Sequence, residues 1–131
     1  MPVKEHCAFC QIINNNEKQR ILAQNPLAFA IHDGYPVSAG HSLIIPCRHS
    51  GSFFEINSDE RKALFELLDK VKIEIDKQYS PDAYNIGIND GMEAGQTLQH
   101  LHIHLIPRYQ GDIDDPRGGI RWLFPHKAQY W

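Results

Sequence analysis

The apolar positions of this chain separate into one long helical repeat and several short runs of strand character. In the helical segment they recur at i, i+3, i+4, i+7 and i+11, which corresponds to Leu64, Leu67, Leu68, Val71 and Ile75. This spacing places the side chains on one helix face and predicts a long amphipathic helix that packs against a core. Ser58 is the expected N-cap, and Pro81 is expected to end the helix near Tyr79.

Four short segments have the composition of β-strands, namely residues 27–31, 42–46, 83–88 and 99–106. Pro107 is expected to close the last strand, because proline cannot extend a central ladder. A brief apolar stretch precedes the polar residues 14–17 and predicts a short N-terminal helix. Elements in this order predict an α+β fold with a largely antiparallel sheet.

Three histidines alternate with apolar residues in the last strand. His100, His102 and His104 are separated by single apolar residues, so one strand face should carry all three imidazoles. The ends of such a row lie about 13 Å apart at Cα, whereas zinc binds nitrogen at about 2.0 to 2.1 Å. Separate roles for the three histidines are therefore easier to arrange than one metal ion bound by all three. Solvated histidines on a half-exposed strand and a catalytic zinc on the three rings remain alternatives.

Composition limits the possible functions. The 131 residues are expected to form a single domain, residues 1–131. A formal charge of −3 gives no general basic face for nucleic acid. No apolar run is long enough to span a membrane, and Met1–His6 leads into no signal-peptide core. Three cysteines do not make a disulfide framework and suit a reducing compartment, so a cytoplasmic location is expected.

The loop before the histidine strand has features of an anion site. Gly91 and Gly95 permit close approach of main-chain N–H groups to phosphate oxygens, and Asn89, Gln96 and Thr97 add neutral donors. A loop with two glycines is more often a plain turn. Its position directly before the histidines favours phosphate binding.

Together these residues resemble a known family. Residues 95–108, Gly-Gln-Thr-Leu-Gln-His-Leu-His-Ile-His-Leu-Ile-Pro-Arg, resemble the signature of the histidine triad (HIT) nucleotide hydrolases and transferases. Residues 39–49 are similar to the family's upstream strand, with His41 at the position of its fourth active-site histidine. Residues 29–33 resemble the strand that leads to the ribose. The resemblance implies a HIT-like fold with a mostly antiparallel five-stranded sheet, one long amphipathic helix and a short N-terminal helix.

The resemblance implies a hydrolase that cleaves at the α-phosphate of a dinucleoside polyphosphate or a nucleoside phosphoramidate. His102 would attack phosphorus, with its ring oriented by a main-chain carbonyl, and water would cleave the nucleotidyl-histidine to release a nucleoside monophosphate. His104 and His41 would contact phosphate oxygens or assist the leaving group. The expected substrate-binding residues are Asp33 at the ribose, Ile31 and Phe29 at a base that is expected to be a purine, and Asn89, Gly95, Gln96 and Thr97 around the phosphates. Magnesium can accompany a polyphosphate substrate.

Cys7 and Cys10 have the spacing that lets two thiolates reach one zinc ion. Some HIT proteins complete such a site with the histidine after the Ile-Pro strand and the first triad histidine, here His49 and His100. A structural zinc on these four residues is therefore expected, with His100 withdrawn from the chemistry. The alternatives are two reduced thiols beside a solvated His49, and a redox pair, which would require a parallel βαβ unit. Cys47 has no obvious partner.

The resemblance also implies a homodimer, with the long helix and the neighbouring strand near the interface and the C-terminal tail near the partner's pocket. The tail is aromatic at Trp122, Phe124, Tyr130 and Trp131, which are expected to pack on the domain or on a second subunit. A nucleotide-binding regulatory protein with little or no turnover is the alternative function.

Overall fold

A five-stranded antiparallel sheet forms the centre of the computed structural model, which describes residues 6–131. The strands are β1 (Ile21–Gln24), β2 (Ala28–His32), β3 (Ser42–Pro46), β4 (Ala83–Gly87) and β5 (Ile103–Arg108), in the spatial order β1-β2-β3-β5-β4. The helices are α1 (Ala8–Asn14), α2 (Ser58–Tyr79) and α3 (Pro125–Ala128). The predicted α+β fold, with five strands, a short N-terminal helix and one long helix, is confirmed. The expected lack of a signal-peptide core falls almost entirely outside the described residues.

The long helix begins one residue earlier than the sequence predicted, because its N-cap is Asn57 and not Ser58. The Asn57 side chain accepts from the main-chain N–H of Glu60 at 2.8 Å, and the Glu60 carboxylate accepts from the N–H of Asn57 at 3.0 Å. This reciprocal capping box requires an acid three residues after the cap, and Glu60 has that spacing from Asn57. The predicted apolar face is otherwise correct, with Leu68 only partly buried.

The edge strand β1 was not among the predicted strands. Its residues alternate between half-buried and exposed, and its pairing with β2 is irregular between Ile21 and Ala23. Edge strands need only one hydrogen-bonded neighbour and bury little surface, so their apolar pattern is weak. Residues 21–24 therefore form a strand mainly because they pair with β2, and their own apolar pattern does not predict it.

The histidine strand starts and ends later than predicted. β5 begins at Ile103 and continues through Pro107 to Arg108, so His100 and His102 lie before the regular strand. β3 pairs with β5 only as far as Leu105, and the Ser38 hydroxyl donates to the Pro107 carbonyl on that side at 2.7 Å. The ladder therefore requires no N–H from Pro107, which explains why a proline is tolerated there.

The sheet has a different partner on each face. Ile103 and Leu105 of β5 belong to the core that α2 covers, together with Leu64, Leu67, Val71 and Ile75. The opposite face carries a second core under α1, formed by Cys7, Phe9, Cys10, Ile12, Phe29, Ile31, Leu43, Ile45 and Cys47. Because side chains alternate along β5, His104 projects to this second face.

The C-terminal segment folds back on itself after Gly111. The Arg117 and Arg121 guanidinium groups lie over the rings of Trp131 and Tyr130, with distances of 4.4 and 4.8 Å to the ring centroids. Ala128 is fully buried. Among residues 6–131, no helix combines the length and apolar character needed to cross a bilayer.

Candidate functional site

His41, His104 and Asp33 meet where β2, β3 and β5 run side by side. Asp33 directly follows β2, His41 directly precedes β3, and the Asp33 N–H donates to the His41 carbonyl at 2.9 Å. His41 Nε2 lies 3.0 Å from His104 Nδ1 and 3.3 Å from Asp33 Oδ2. The strand ends thus bring a predicted catalytic pair and a predicted ribose ligand into one cluster.

Main-chain geometry assigns the protons of these two rings. The Val37 N–H donates to His41 Nδ1 at 3.1 Å, so the neutral His41 ring carries its proton on Nε2 and donates toward His104 Nδ1. His104 in turn carries its proton on Nε2, which points away from His41. The three side chains also have separations that would suit a metal ion. Because His41 Nε2 is protonated and offers no lone pair, the cluster is a hydrogen-bonded one.

Both rings are neutral near pH 7. Burial lowers the pKa of His104 to about 4, with repulsion from His102 and His41 adding to the effect and Asp33 opposing it. Burial also lowers the pKa of His41, and Asp33 again opposes the change. His41 and His104 can therefore donate hydrogen bonds without carrying a positive charge.

His102 has a ring nitrogen free for attack. Its Nδ1 lies 2.9 Å from the carbonyl oxygen of His100, to which it donates, so Nε2 keeps its lone pair. The ring packs edge-on against Phe9 of α1 and against His104, with centroid distances of 5.2 and 5.1 Å. This is the ring orientation that the sequence resemblance implied.

His100 is fully buried and turned toward the cysteines. Its Nε2–H donates to the Pro46 carbonyl at 2.8 Å, which leaves Nδ1 facing Cys7 Sγ at 3.3 Å and Cys10 Sγ at 3.5 Å. His49 Nδ1 lies 3.3 Å from Cys10 Sγ. Burial lowers the pKa of His100 to about 4, so the ring is neutral. Two thiols and two imidazoles, all with ligand atoms within 4.8 Å of one another, fit a tetrahedral zinc ion.

This arrangement contradicts two alternatives from the sequence. A single metal on His100, His102 and His104 would need a free nitrogen on His100, but its Nε2 donates to the Pro46 carbonyl and its Nδ1 faces the cysteines. A row of solvated histidines is also wrong, because His100 has no exposed surface. The three triad histidines therefore have three different surroundings.

Gln96 holds the loop together, which differs from its predicted contact with phosphate. Its Oε1 accepts from the Gly91 N–H at 2.8 Å, and its Nε2 donates to the Gly51 and Leu98 carbonyls at 2.8 and 3.1 Å. The residue is buried and its amide is used by the main chain. Thr97 and Gly95 are exposed in the same loop, and Gly95 has a φ of +94° that favours glycine.

The residues predicted to bind the nucleoside differ in how much of their surface is exposed to a ligand. Asp33 is half-buried, with one carboxylate oxygen accepting from the Tyr35 N–H at 2.8 Å and the other near His41. Phe29 is completely buried and Ile31 is 2% exposed. Phe29 therefore offers no surface to a base, because it is part of the core between α1 and the sheet.

A groove of about 600 Å³ opens beside His41 and His104. β4 and β5 form its floor, with Asn85, Asn89, Ile106 and Arg108, and residues 112–123 form a wall. Apart from Asn89, these positions were not predicted from the sequence as parts of a site. The pairing of Gly87 with His104 and of Asn85 with Ile106 was the available signal for β4. No pattern in the tail indicates where it folds.

Comparison with known proteins identifies the family. A family model described as the HIT domain matches residues 14–111. An uncharacterized HIT-like protein of Methanocaldococcus jannaschii is 37% identical over 81% of this chain and 81% of its own length. Two proteins of Schizosaccharomyces pombe are also similar. An asymmetrical bis(5′-nucleosyl)-tetraphosphatase is 36% identical over 73% of this chain and 53% of its own length. An adenosine 5′-monophosphoramidase is 33% identical over 78% of this chain and 74% of its own length.

Solved structures share the fold. A HIT family protein from Bacillus anthracis superposes with a TM-score of 0.77 at 31% identity, covering 84% of this chain and 78% of the other. A zinc-bound histidine triad family protein from Mycobacterium smegmatis gives a TM-score of 0.74 at 28% identity, with coverage of 82% and 78%. With its triad, its sheet and its family match, this chain belongs to the HIT family.

Proposed function

We propose that the protein is a nucleotide hydrolase in which His102 attacks the α-phosphorus of a dinucleoside polyphosphate or a nucleoside phosphoramidate. The observation that carries this proposal is the 2.9 Å hydrogen bond from His102 Nδ1 to the His100 carbonyl, which leaves Nε2 available. Both substrate classes match the names of the two Schizosaccharomyces pombe relatives, and the adenosine in one name supports a purine. Retention of the whole histidine cluster favours an enzyme over a regulatory protein that only binds nucleotide.

The proposed reaction has two displacements. In the first, the His102 Nε2–phosphorus bond forms while the bond to the leaving group breaks, and the leaving group takes the electron pair. A polyphosphate leaves as an anion, whereas the nitrogen of a phosphoramidate also takes a proton from solvent and leaves as an amine. In the second, a water oxygen attacks phosphorus, the electron pair of the nitrogen–phosphorus bond returns to His102, and the water proton passes to solvent. The Nδ1–H bond to His100 supports the positive charge of the ring in the intermediate.

His104 and His41 act together in this scheme. The Nε2–H of His104 donates to a phosphate oxygen or to the leaving atom, and His41 fixes the orientation of the His104 ring. Because His104 is neutral, it stabilises charge as a hydrogen-bond donor. A polyphosphate departs as an anion without a proton, which suits this arrangement. Asp33, Asn89, Gly95 and Thr97 are proposed to contact the nucleotide around the phosphates and the ribose, with Ile31 at the edge of the base.

The Cys7, Cys10, His49 and His100 site is proposed to hold a structural zinc ion. When bound, zinc would tie α1 to the sheet beside the nucleophile. No step of the reaction passes through it. Magnesium would enter only with a polyphosphate substrate. Three cysteines, an odd number that does not make a disulfide framework, support a reducing compartment and thus the cytoplasm.

A homodimer is proposed through α2 and β4. β4 is an edge strand with one unpaired side, and Ile86 on it is 54% exposed. Phe65 and Ile73 on α2 are 48% and 53% exposed. An edge ladder beside exposed apolar side chains is a surface that a second copy can cover.

Turnover tests the proposed function. Purified protein is incubated with diadenosine tetraphosphate or adenosine 5′-phosphoramidate, and release of AMP is followed by chromatography. We expect His102→Ala to lower kcat by at least a thousandfold, while His126→Ala, an exposed histidine outside the site, keeps the parent rate. AMP binding without turnover on both substrates would support the regulatory alternative.

A further inference from the structure

The ring of His102 needs more than its hydrogen bond to stay in the orientation that leaves Nε2 free. Its Nδ1–H donates to the His100 carbonyl at 2.9 Å. Rotation about the bond between Cβ and the ring is soft in histidine, with a broad and roughly twofold energy profile. A half-turn would place Cδ2 at the carbonyl in place of Nδ1 and would break this bond. One hydrogen bond therefore restrains the attacking nitrogen only weakly.

Phe9 is the apolar member of a row of four rings that runs through the site. The row contains Phe9, His102, His104 and His41, with successive centroid distances of 5.2, 5.1 and 5.2 Å. The planes of Phe9 and His102 meet at 74°, which is a T-shaped contact. Because aromatic pairs prefer such a geometry over others, rotation of the His102 ring would cost the energy of this contact. The Phe9 ring thus opposes the half-turn.

The Phe9 ring is itself held firmly. It is buried in the core under α1, with 7% of its surface exposed. In sequence it lies between Cys7 and Cys10, the two cysteines of the proposed zinc site. Its ring also makes a T-shaped contact with His100, another proposed ligand, at a centroid distance of 5.6 Å. A ring fixed by a helix and its core can restrain a neighbouring ring, because a close-packed interior leaves it little room to move.

From these contacts we propose that Phe9 is a positioning residue for the nucleophile, which keeps His102 Nδ1 at the His100 carbonyl and Nε2 turned toward phosphorus. The inference rests on the proposed function, because it concerns the attack by His102. Phe9 supplies no atom that forms or breaks a bond. Its effect falls on the first displacement, in which Nε2 must approach phosphorus in a near-attack geometry.

The rate of the first displacement at saturating substrate measures this effect. Zinc-loaded protein is mixed with diadenosine tetraphosphate labelled at the α-phosphates, and rapid quenching gives the rate constant for labelling of His102. We expect Phe9→Leu to lower this rate constant about ten- to a hundredfold, since a misplacement of about 1 Å can cost about a hundredfold. Phe9→Met, a second variant without a ring, should behave alike. Phe9→Tyr keeps the ring and should stay within about threefold of the parent.

Ile12→Val is the matched control. Ile12 lies on the same helix and is buried in the same core, and the substitution also removes a small apolar volume. It should lower Tm, as Phe9→Leu does, but keep the rate constant within about twofold of the parent. Zinc content is measured for every variant, because Phe9 also contacts His100.

The orientation of the ring is measured without substrate. In zinc-loaded protein labelled with ¹⁵N, long-range ¹H–¹⁵N spectra at mildly alkaline pH show which ring nitrogen carries the proton. We expect a single Nδ1–H tautomer for His102 in the parent and in Ile12→Val. In Phe9→Leu the shifts of the two ring nitrogens should move toward each other, because the ring is no longer held in one orientation.

Several results would overturn the role of Phe9. These are a parent-like rate constant or spectrum in Phe9→Leu, an equal loss of rate in Ile12→Val, and a Phe9→Tyr protein as slow as Phe9→Leu. Loss of zinc from Phe9→Leu would also overturn it, by making Phe9 a support of the metal site. A parent protein in which His102 is never labelled would reject the proposed function. Labelling at equal rates in the parent and Phe9→Leu would reject only this inference.

Discussion

At the scale of single residues, four histidines differ in which ring nitrogen the fold leaves available. His102 and His100 each donate one N–H to a main-chain carbonyl, whereas His41 accepts from a main-chain N–H. His104 receives its orientation from His41. Under the proposed function, the same type of side chain would serve as a nucleophile, a metal ligand, a positioning group or a donor, depending on one hydrogen bond. Sequence spacing locates these residues, but their tautomers depend on which main-chain atoms the folded loops bring to each ring.

The side chain of Gln96 gives a prediction at this scale. Gln96→Ala leaves the Gly91 N–H and the Gly51 and Leu98 carbonyls without their partner, so we expect the free energy of unfolding to fall by about 1 to 3 kcal/mol. Thr97→Ala, at the exposed neighbouring position, should change it by less than about 0.5 kcal/mol. Urea unfolding measures both. Equal effects of the two substitutions would show that Gln96 is not the residue that holds the loop.

At the scale of elements, the sequence predicts those that bury a continuous apolar face. α2 and β3 are close to their predicted positions because their side chains pack on the core. β1 and the start of β5 were not predicted, since the first depends on pairing at an edge and the second on where the ladder with β3 ends, at the Ile44–Ile103 pair. The same distinction holds in the site. Spacing predicted the pair Cys7 and Cys10, and the family resemblance supplied His49 and His100. The tail wall, by contrast, depends on tertiary packing.

The start of α2 provides a second prediction. Asn57→Ala removes the side-chain bond to the Glu60 N–H and should cost about 1 kcal/mol of stability. Ser58→Ala should cost little, because Ser58 is an exposed residue inside the helix. Comparing the two variants by urea unfolding tests the capping assignment. A larger loss from Ser58→Ala would restore the N-cap that the sequence suggested.

The link between α1 and the sheet provides a third prediction. Cys10→Ser should remove the zinc, lower Tm and reduce kcat, because the carbonyl that orients His102 belongs to the ligand His100. Cys47→Ala, at a buried cysteine outside the four ligands, should keep the zinc content of the parent. Elemental analysis and thermal unfolding provide the measurements. One zinc ion per chain in the Cys10→Ser protein would contradict the ligand assignment.

At the scale of the whole molecule, the two faces of the sheet have different tasks. α2 and its core stabilise one face, while the other face carries α1, the histidines and the groove. The exposed side of α2 lies on the face opposite the reacting groups, whereas β4 forms part of the groove's floor and Ile86 lines the groove. A dimer through α2 and β4 would therefore bring the second chain to the edge of the groove.

The proposed dimer interface gives a fourth prediction. Light scattering should give a mass of twice the 15.0 kDa chain for the parent protein. Ile73→Asp should shift it to monomer, because the interface would bury an unpaired charge, while Tyr35→Asp, at a loop residue that is 90% exposed, should not. A parent protein that is monomeric at micromolar concentration would contradict the proposed interface.

Covalent attachment of the nucleotide to His102 tests the central claim most directly. The protein is mixed with diadenosine tetraphosphate that is radiolabelled at the α-phosphates, quenched within milliseconds and digested, and the labelled peptide is identified by mass spectrometry. We expect an acid-labile adenylyl group on His102, present in the His126→Ala protein and absent from His102→Ala. Label on another residue, or label that persists in His102→Ala, would contradict the account.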